Sequence, residues 1–236
     1  MNILIVNGSG SIGSSIVNAL SDIDAKIIYT TNQSNSKNID GCIHWKYKGG
    51  KSVSGLYEVI KQEFDHLDAE VNCLGYIILR AAHLTAEEDF DNTIDINLRS
   101  SFFILKETIP LMRKHGGNIL FFSSAAANIG MVNHEAISAA KGGLEGLVRS
   151  AAATYAKNNI RVNALALGLV ESSLSSSIIS NHMSLEMSKK MHSLGRIGKP
   201  KSIVNIAKQL IIDENSWITG SIINLDGGLS TTKIAS

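Results

Sequence analysis

The amino-acid sequence predicts an α/β protein built on a doubly wound parallel sheet, with helices on both faces in three α/β/α layers. Two observations lead to this prediction. Short β-branched runs alternate with longer helical patterns along the 236 residues, and a glycine-rich turn joins the first run to the first helix. Such alternation is typical of a parallel sheet that is covered on both sides. No linker, repeat or low-complexity tract divides the sequence, so we expect a single domain over residues 1–236.

Taken in chain order, the predicted strands are short apolar runs and the predicted helices are longer amphipathic segments. The strands are expected at residues 3–6, 26–30, 70–73, 118–122, 161–165 and 221–225. The helices are expected at residues 14–20, 53–64, 90–114, 136–157 and 202–212. One apolar face of the second helix is expected to carry four residues, Val53, Leu56, Val59 and Ile60.

The turns that follow the predicted strands are where we expect binding and catalytic residues. In an open parallel sheet, ligands bind in the crevice beyond the carboxyl ends of the strands. The segments at 7–13, 72–75, 123–127 and 166–171 follow four of these strands and are expected to lie along one edge.

Composition and charge exclude several classes of function. With 22 Lys and Arg against 21 Asp and Glu, the net charge of +1 provides no global field for nucleic acid or an anionic membrane. The two cysteines, Cys42 and Cys73, lie far apart, which is typical of reduced thiols in the cytoplasm. The sequence has no signal-peptide pattern, no apolar run of about 18 residues and no metal-ligand cluster. We therefore expect a cytoplasmic protein with a small-molecule substrate and with neither a nucleic-acid nor a membrane partner.

The glycine-rich turn is the first candidate binding site. It reads Gly8-Ser9-Gly10-Ser11-Ile12-Gly13 between the first strand and the first helix, which is typical of a Rossmann-type dinucleotide site. The first glycine would allow the tight turn, the second would let the backbone approach a pyrophosphate, and the third would let helix and strand pack closely. The helix N-terminus adds free N–H groups and positive potential.

The end of the second strand favours NADP over NAD. The fingerprint normally has an acidic residue about 20 residues further on, which binds the ribose hydroxyls. Residues 29–34 contain neither an acid nor an arginine. The missing acid removes the usual repulsion of a 2′-phosphate, and hydroxyls such as that of Thr30 could donate hydrogen bonds to it.

Several segments together resemble the short-chain dehydrogenase/reductase family over nearly the whole chain. Residues 68–75, DAEVNCLG, resemble its D-x-L-V-N-N-A-G segment, and residues 117–124, GNILFFSS, resemble its G-x-I-x-x-x-S-S strand end. Residues 161–168, RVNALALG, resemble R-V-N-x-x-x-P-G with Leu167 in the proline place. The segments 194–200 and 218–228 resemble the C-terminal part of the family. A methyltransferase also has a glycine loop after its first strand, but these C-terminal segments argue against one.

The resemblance implies an NAD(P)-dependent oxidoreductase that acts on a carbonyl or alcohol. It implies that Ser124 orients the substrate, that the Asn97 carbonyl holds a water of a proton relay, and that Lys141 holds the nicotinamide ribose. Four further residues are implied to line the cofactor, namely Asn72, Gly75, Gly168 and Val170. The family also implies a substrate lid at about 172–194, and a homodimer or homotetramer formed through the helices near 90–114 and 136–157.

Two departures from the family pattern bear on activity. The family's T-G-x-x-x-G-x-G loop is replaced by the shorter GxGxxG loop, with Asn7 in the threonine place. The family's Y-x-x-x-K becomes Ile137-Ser138-Ala139-Ala140-Lys141. Positions 137 and 141 share a helix face about 6 Å apart, but isoleucine has no proton to exchange with a substrate.

Three hypotheses follow from the missing tyrosine. In the first, another group supplies the proton, either His134, which Glu135 could orient, or the hydroxyl of Tyr76. Imidazole suits this task because its unperturbed pKa is about 6.5. In the second, an imine or activated alkene is reduced with help from water. In the third, the protein is an inactive nucleotide-binding pseudoenzyme that serves as a sensor or partner subunit.

Overall fold

The fold is a single parallel sheet of seven strands in the order β3-β2-β1-β4-β5-β6-β7. The structure is a computed structural model that describes residues 1–32, 41–213 and 216–233, so Gln33 and Ser34 of the stretch at 29–34 lie outside the described residues. The strands are β1 Asn2–Val6, β2 Lys26–Thr31, β3 Cys42–His44, β4 Ala69–Asn72, β5 Gly117–Ser124, β6 Ile160–Leu167 and β7 Ile222–Leu225. The predicted doubly wound α/β fold is confirmed, although β3 was not predicted.

Helices cover both faces of the sheet. They are α1 Ser11–Leu20, α2 Gly50–Glu63, α3 Glu87–Ile94, α4 Ser100–Met112, α5 Glu135–Tyr155, α6 Ser176–Ile179, α7 His182–Met191 and α8 Pro200–Ile212. One buried apolar cluster joins the sheet to α2, α4 and α5, and a second joins its other face to α1 and α8. In the described ranges, no helix combines the length and apolar character needed to cross a membrane.

The long helix predicted over 90–114 is present from Glu87 to Met112, and it contains one turn that was not predicted. A π-helical turn, Asp95–Arg99, separates α3 from α4. Side chains take part in the hydrogen bonding there: the Asn97 amide donates to the Thr93 carbonyl over 2.9 Å, and the Ser101 hydroxyl donates to the Asn97 carbonyl over 3.0 Å. Such turns are frequent at functional sites, and this one displaces Asn97 from an ordinary helical position.

The predicted apolar face of α2 needs one correction. Val53, Leu56 and Ile60 are buried, but Val59 is 42% exposed and Tyr57 is fully buried instead. A helix turns through about 100° per residue, so position 57 lies within about 60° of positions 53 and 60, on the buried face, whereas position 59 lies about 100° from position 60 and outside that face. The Tyr57 hydroxyl is accommodated in the core because it shares a 2.5 Å hydrogen bond with Thr108.

The strand order places a ligand crevice between β1 and β4. The chain runs outward from β1 through β2 to β3, and then returns to β4 and continues to β7 on the other side. Val6 and Asn72 are partners at the carboxyl ends of β1 and β4. The loops that leave these two strands diverge toward opposite faces, which opens a crevice at the switch point.

A buried carboxyl lies in the centre of this sheet. Glu70 of β4 is fully buried between Leu4 and Ile119, its register partners, and its carboxyl oxygens have no hydrogen-bond partner in the described part of the chain. The family segment has leucine at this position. Burial raises the pKa of Glu70 well above its usual value of 4.5, because it disfavours the charged form of the carboxyl.

We expect Glu70→Leu and Glu70→Gln to change stability in a pH-dependent way. Above pH 4.5 the unfolded chain releases the Glu70 proton and the folded protein keeps it, so wild-type stability falls as pH rises toward the folded-state pKa. Both variants should lack this slope, and Glu70→Leu should raise the free energy of unfolding at neutral pH by about 1–3 kcal/mol. Urea denaturation between pH 4 and 8 measures both effects, with exposed Glu88→Gln as the control. Parallel pH slopes for Glu70→Gln and wild type would show that Glu70 is ionised in the fold.

Candidate active site

The glycine loop is held in place by Asn7. This residue adopts the left-handed conformation at φ 60°, its N–H donates to the Thr30 hydroxyl over 2.8 Å, and its side-chain amide donates to the Cys73 carbonyl over 3.1 Å. Its own carbonyl accepts from the Gly10 N–H over 3.1 Å. Asn7 therefore ties the carboxyl end of β1 to those of β2 and β4, and it makes the left-handed turn that was expected of Gly8.

Each glycine of the loop is needed for a different close approach. A Cβ on Gly8 would lie 2.5 Å from the Tyr29 Cβ, and a Cβ on Gly13 would lie 2.5 Å from the Asn7 carbonyl oxygen and 2.7 Å from the Gly8 Cα. A Cβ on Gly10 would come no closer than 3.2 Å to a neighbour, the Asn7 amide nitrogen. The lack of a side chain at Gly8 and Gly13 thus lets α1 pack against the strands, and the lack of one at Gly10 leaves the surface of the loop open to a ligand.

A cleft of about 640 Å³ opens above this loop. Its lining includes Asn7, Asn32, Gly75 and the whole segment from Ser9 to Ser14, which contains four other predicted loop residues, Gly10, Ser11, Ile12 and Gly13. No side chain caps the N-terminus of α1, so its first N–H groups and its positive potential are available to an anion. Ser173 closes one side of the cleft by donating its N–H to the Ser11 hydroxyl over 3.1 Å.

The cleft leads into a smaller cavity of about 160 Å³ at the ends of β4, β5 and β6. The cavity brings together seven residues predicted for the site, Ile12, Gly75, Asn97, Ser124, Lys141, Gly168 and Val170, and Tyr76 lines it as well. Residues from four different turns converge here because parallel strands end at the same edge of the sheet.

Lys141 is buried beneath this cavity. Its amine donates to the Phe122 carbonyl over 2.7 Å, and burial lowers the pKa of the amine from 10.5 to about 8. A neighbouring acid does not compensate for the burial, because Glu145, one turn further along α5, accepts instead from the Ser123 hydroxyl over 2.7 Å and the Asn128 amide over 3.1 Å. Lys141 is thus positioned as a hydrogen-bond donor at the floor of the cavity.

The side chain of Asn97 holds the backbone of Tyr76 beside the cavity. Its amide donates to the Tyr76 carbonyl over 2.8 Å and its side-chain oxygen accepts from the Tyr76 N–H over 3.3 Å, so both polar groups of that backbone unit are held. The Asn97 carbonyl, which the family resemblance assigned to a water, accepts from Ser101. Asn72 in turn donates to the Ser101 hydroxyl over 3.2 Å. The sequence analysis did not identify Ser101, since serine inside a helix carries no distinctive signal.

A third cavity of about 460 Å³ adjoins the second and is largely apolar. Its apolar lining includes Ile77, Met131, Ile137, Leu169, Ile178 and Met187. Ile137 is only 3% exposed and lies where the family places its tyrosine. Helices α6 and α7, from the segment predicted as a lid, form one wall. Ser124 lines this cavity as well as the second, and its hydroxyl oxygen accepts from the Ala126 N–H over 3.2 Å.

Two imidazoles line the apolar cavity, and their hydrogen bonds differ. His192 is buried, with one ring nitrogen 2.6 Å from the Ser188 carbonyl and the other accepting from the Leu169 N–H over 3.1 Å. His134 is half-buried, and its Nδ1 lies 2.7 Å from the Val132 carbonyl. A ring nitrogen beside a carbonyl must carry the proton, so Nε2 of His134 is the nitrogen left to exchange one. Val132, rather than Glu135, orients the ring.

A fourth cavity of about 170 Å³ extends the cleft toward β2 and β3. Thr30 and Asn32 line it together with Trp45, Lys46 and Tyr47, which follow β3. Thr30 therefore lines a cavity that adjoins the cleft, and its hydroxyl oxygen already accepts from the Asn7 N–H. The three residues after β3 were missed because that strand is only three residues long and was not predicted.

Comparisons with known proteins agree with this arrangement. Residues 6–230 match a family model described as enoyl-(acyl carrier protein) reductase. A chloroplastic tropinone reductase homologue of Arabidopsis thaliana is 29% identical, covering 98% of this chain and 76% of its own length. The 3-oxoacyl-(acyl-carrier-protein) reductase FabG of Thermotoga maritima is 32% identical, covering 75% of this chain and 72% of its own length.

Solved structures show the same fold. Ligand-free aldohexose dehydrogenase of Thermoplasma acidophilum superimposes with a TM-score of 0.89 at 24% identity, over 100% of this chain and 96% of that one. ElxO with NADP bound superimposes with a TM-score of 0.88 at 23% identity, over 98% of this chain and 99% of that one.

We expect Gly13→Ala to damage both the fold and the cleft. The added Cβ would overlap the Asn7 carbonyl and the Gly8 backbone, neither of which can move freely, so the free energy of unfolding should fall by about 1–3 kcal/mol. Gly55→Ala is the matched control, because nothing lies within 4 Å of its Cβ. That variant should gain about 0.5–1 kcal/mol from helix propensity. Thermal denaturation of both variants measures the difference, and equal stability of the two would show that the loop packs more loosely.

Proposed function

Because the chain belongs to the short-chain dehydrogenase/reductase family of NAD(P)-dependent oxidoreductases, we propose that it interconverts a carbonyl group and an alcohol with NADP(H) as its preferred cofactor. One observation carries the proposal. The glycine-loop cleft, the cavity above Lys141 and the apolar cavity form a continuous path, since neighbouring cavities share lining residues. Such a path has room for a dinucleotide at one end and a substrate at the other.

The residues of the cleft fit a dinucleotide. The uncapped N-terminus of α1 and the bare surface at Gly10 suit a pyrophosphate, and the Lys141 amine suits a ribose hydroxyl at the second cavity. The fourth cavity, beside Thr30 and Asn32, would receive the adenosine end of the cofactor. No carboxylate among the described residues lines this cavity to repel a 2′-phosphate, which supports NADP. A bound NADP(H) would supply the hydride, and the chain must supply binding, orientation and the proton.

We assign the orientation of the substrate oxygen to Ser124. Its oxygen accepts the Ala126 N–H, which leaves the hydroxyl proton free to be donated toward the cavity. Ile137 and its apolar neighbours would hold a substrate with a largely apolar body. The same side chains exclude water from around the reacting carbon, which strengthens the hydrogen bond from Ser124.

We assign the proton to His134. The family's tyrosine position is filled by isoleucine, and the neighbouring Ser138 hydroxyl is engaged with the Ala126 carbonyl at 2.5 Å. Of the two imidazoles in the cavity, His192 uses both nitrogens in hydrogen bonds to the backbone, and only His134 retains a ring nitrogen for exchange. His134 precedes Ile137 by three residues, so it lies one helical turn from the vacated position.

We also propose a homodimer or homotetramer through α4 and α5, in a cytoplasmic setting. Phe102 of α4 is 52% exposed, and nothing lies within 4 Å of a Cβ placed on Gly142 or Gly146 of α5. A bare face on one helix and an exposed aromatic ring on the other suit close helix–helix contacts between subunits. Cys42 and Cys73 are free thiols, which supports a reducing compartment.

Calorimetric titration with NADPH, and separately with NADH, tests the cofactor. Micromolar binding with NADPH the tighter ligand is the expected result. Absence of binding by either dinucleotide up to millimolar concentration would overturn the oxidoreductase assignment. Intact binding with no turnover of any ketone, aldehyde, imine or activated alkene would instead favour the nucleotide-binding pseudoenzyme.

We expect His134→Ala to lower the rate of carbonyl reduction about 10²–10⁴-fold, because general acid catalysis is lost. NADPH affinity should not change, since His134 does not line the cofactor cleft. Initial rates from nicotinamide absorbance over a range of NADPH concentrations measure both, with exposed His83→Ala as the matched control. Unchanged turnover in His134→Ala would return the proton to Tyr76 or water.

A further inference from the structure

The adenosine end of the cleft is closed by a segment whose function neither the glycine loop nor the family resemblance explains. Trp45, Lys46 and Tyr47 follow β3 directly and line the 170 Å³ cavity opposite Thr30 and Asn32. This cavity shares Asn7, Asn32 and Gly75 with the main cleft. It therefore receives whatever part of a dinucleotide extends from the pyrophosphate toward β2.

The segment is fixed on both sides of Lys46. The Trp45 N–H donates to the Thr31 carbonyl over 2.8 Å, and its indole N–H donates to the Ser52 carbonyl over 2.9 Å. The Tyr47 hydroxyl donates to the Asp95 carboxylate over 3.1 Å. With both neighbours anchored, the backbone of Lys46 has a set position at the cavity, and its exposed side chain extends from it.

The Lys46 amine is uncommitted. Its side chain is exposed, and no hydrogen bond or ion pair engages it in the described part of the chain. The other lysine that lines the cofactor path, Lys141, donates to the Phe122 carbonyl at the opposite end. No carboxylate among the described residues lines the adenosine cavity, so a positive charge there faces hydroxyl, amide and aromatic groups instead of a counter-ion.

We propose that Lys46 binds the 2′-phosphate of the adenosine ribose and so determines the preference for NADP over NAD. The inference rests on the proposed cofactor and names the group that selects it. A dianionic phosphate monoester is the ligand that gains most from an uncommitted ammonium group, because each hydrogen bond between them is charge-assisted. Thr30 and Asn32 lie on the opposite wall, where a hydroxyl and an amide can donate to the remaining phosphate oxygens.

The test compares two fragments that differ only in this phosphate. Calorimetry with 2′,5′-ADP and with 5′-AMP isolates the 2′-phosphate without requiring turnover. Lys46→Ala should weaken 2′,5′-ADP about 10- to 100-fold, the range expected for one hydrogen bond to a charged group, and leave 5′-AMP within about 2-fold. Lys46→Arg should keep most of the preference. The preference of the wild type should shrink with added salt, since the cavity is exposed.

Lys48→Ala is the matched control, because Lys48 lies two residues further along and does not line the cavity. It should leave both affinities unchanged, and both variants should keep the wild-type melting temperature because their side chains are exposed. If wild type and Lys46→Ala prefer 2′,5′-ADP over 5′-AMP by the same factor, the role of Lys46 is overturned and the NADP preference stands. A wild type that binds both fragments equally would overturn the NADP preference and this inference with it, and one that binds neither would overturn the cofactor site.

Discussion

The geometry of the site depends on one residue, Asn7, at the point where the strand order reverses between β1 and β4. Asn7 takes the left-handed turn after β1, and its hydrogen bonds reach Thr30 after β2 and Cys73 after β4. The carboxyl ends of β1, β2 and β4 are thereby held together by the hydrogen bonds of this one residue. These hydrogen bonds pair backbone groups that would otherwise be buried without a partner. Helix α1 begins directly after this junction, and it can pack close to the strands because Gly8 and Gly13 carry no side chain. The cleft, the adenosine cavity and the path to Lys141 all take their positions from this junction.

Charge and hydrogen bonding are distributed unevenly around the path. Burial lowers the pKa of the Lys141 amine to about 8, and no carboxylate in the described ranges pairs with it, whereas Lys46 is exposed at the opposite end. His192 is held by two backbone groups, whereas His134 is held by one. In each pair the residue types are the same, and the surroundings decide which group is committed to structure and which is available to a ligand.

Position 137, at the start of α5, is packed with an apolar side chain. Ile137 is almost fully buried and Ser138 is engaged with the Ala126 carbonyl, so the start of α5 offers no hydroxyl at the vacated place. At the π-helical turn, Asn72, Ser101 and Asn97 form a hydrogen-bonded chain that holds the Tyr76 backbone. The backbone beside the cavity is therefore held by polar side chains, although position 137 carries no hydroxyl.

The sequence by itself determined the alternation of strands and helices, the glycine loop and the isoleucine at the tyrosine position, because each is a local pattern with a fixed spacing. It did not reveal β3, since three residues are too few to show a period, and with β3 it missed the placement of Trp45, Lys46 and Tyr47. It predicted the long helix over 90–114 but not the π-helical turn Asp95–Arg99 within it, because side-chain hydrogen bonds to the backbone leave hydrophobic periodicity unchanged. The sequence could not show which histidine and which lysine are engaged in hydrogen bonds. The partners of His192 and Lys141 are backbone groups, which carry no sequence signal and which only folding brings within reach.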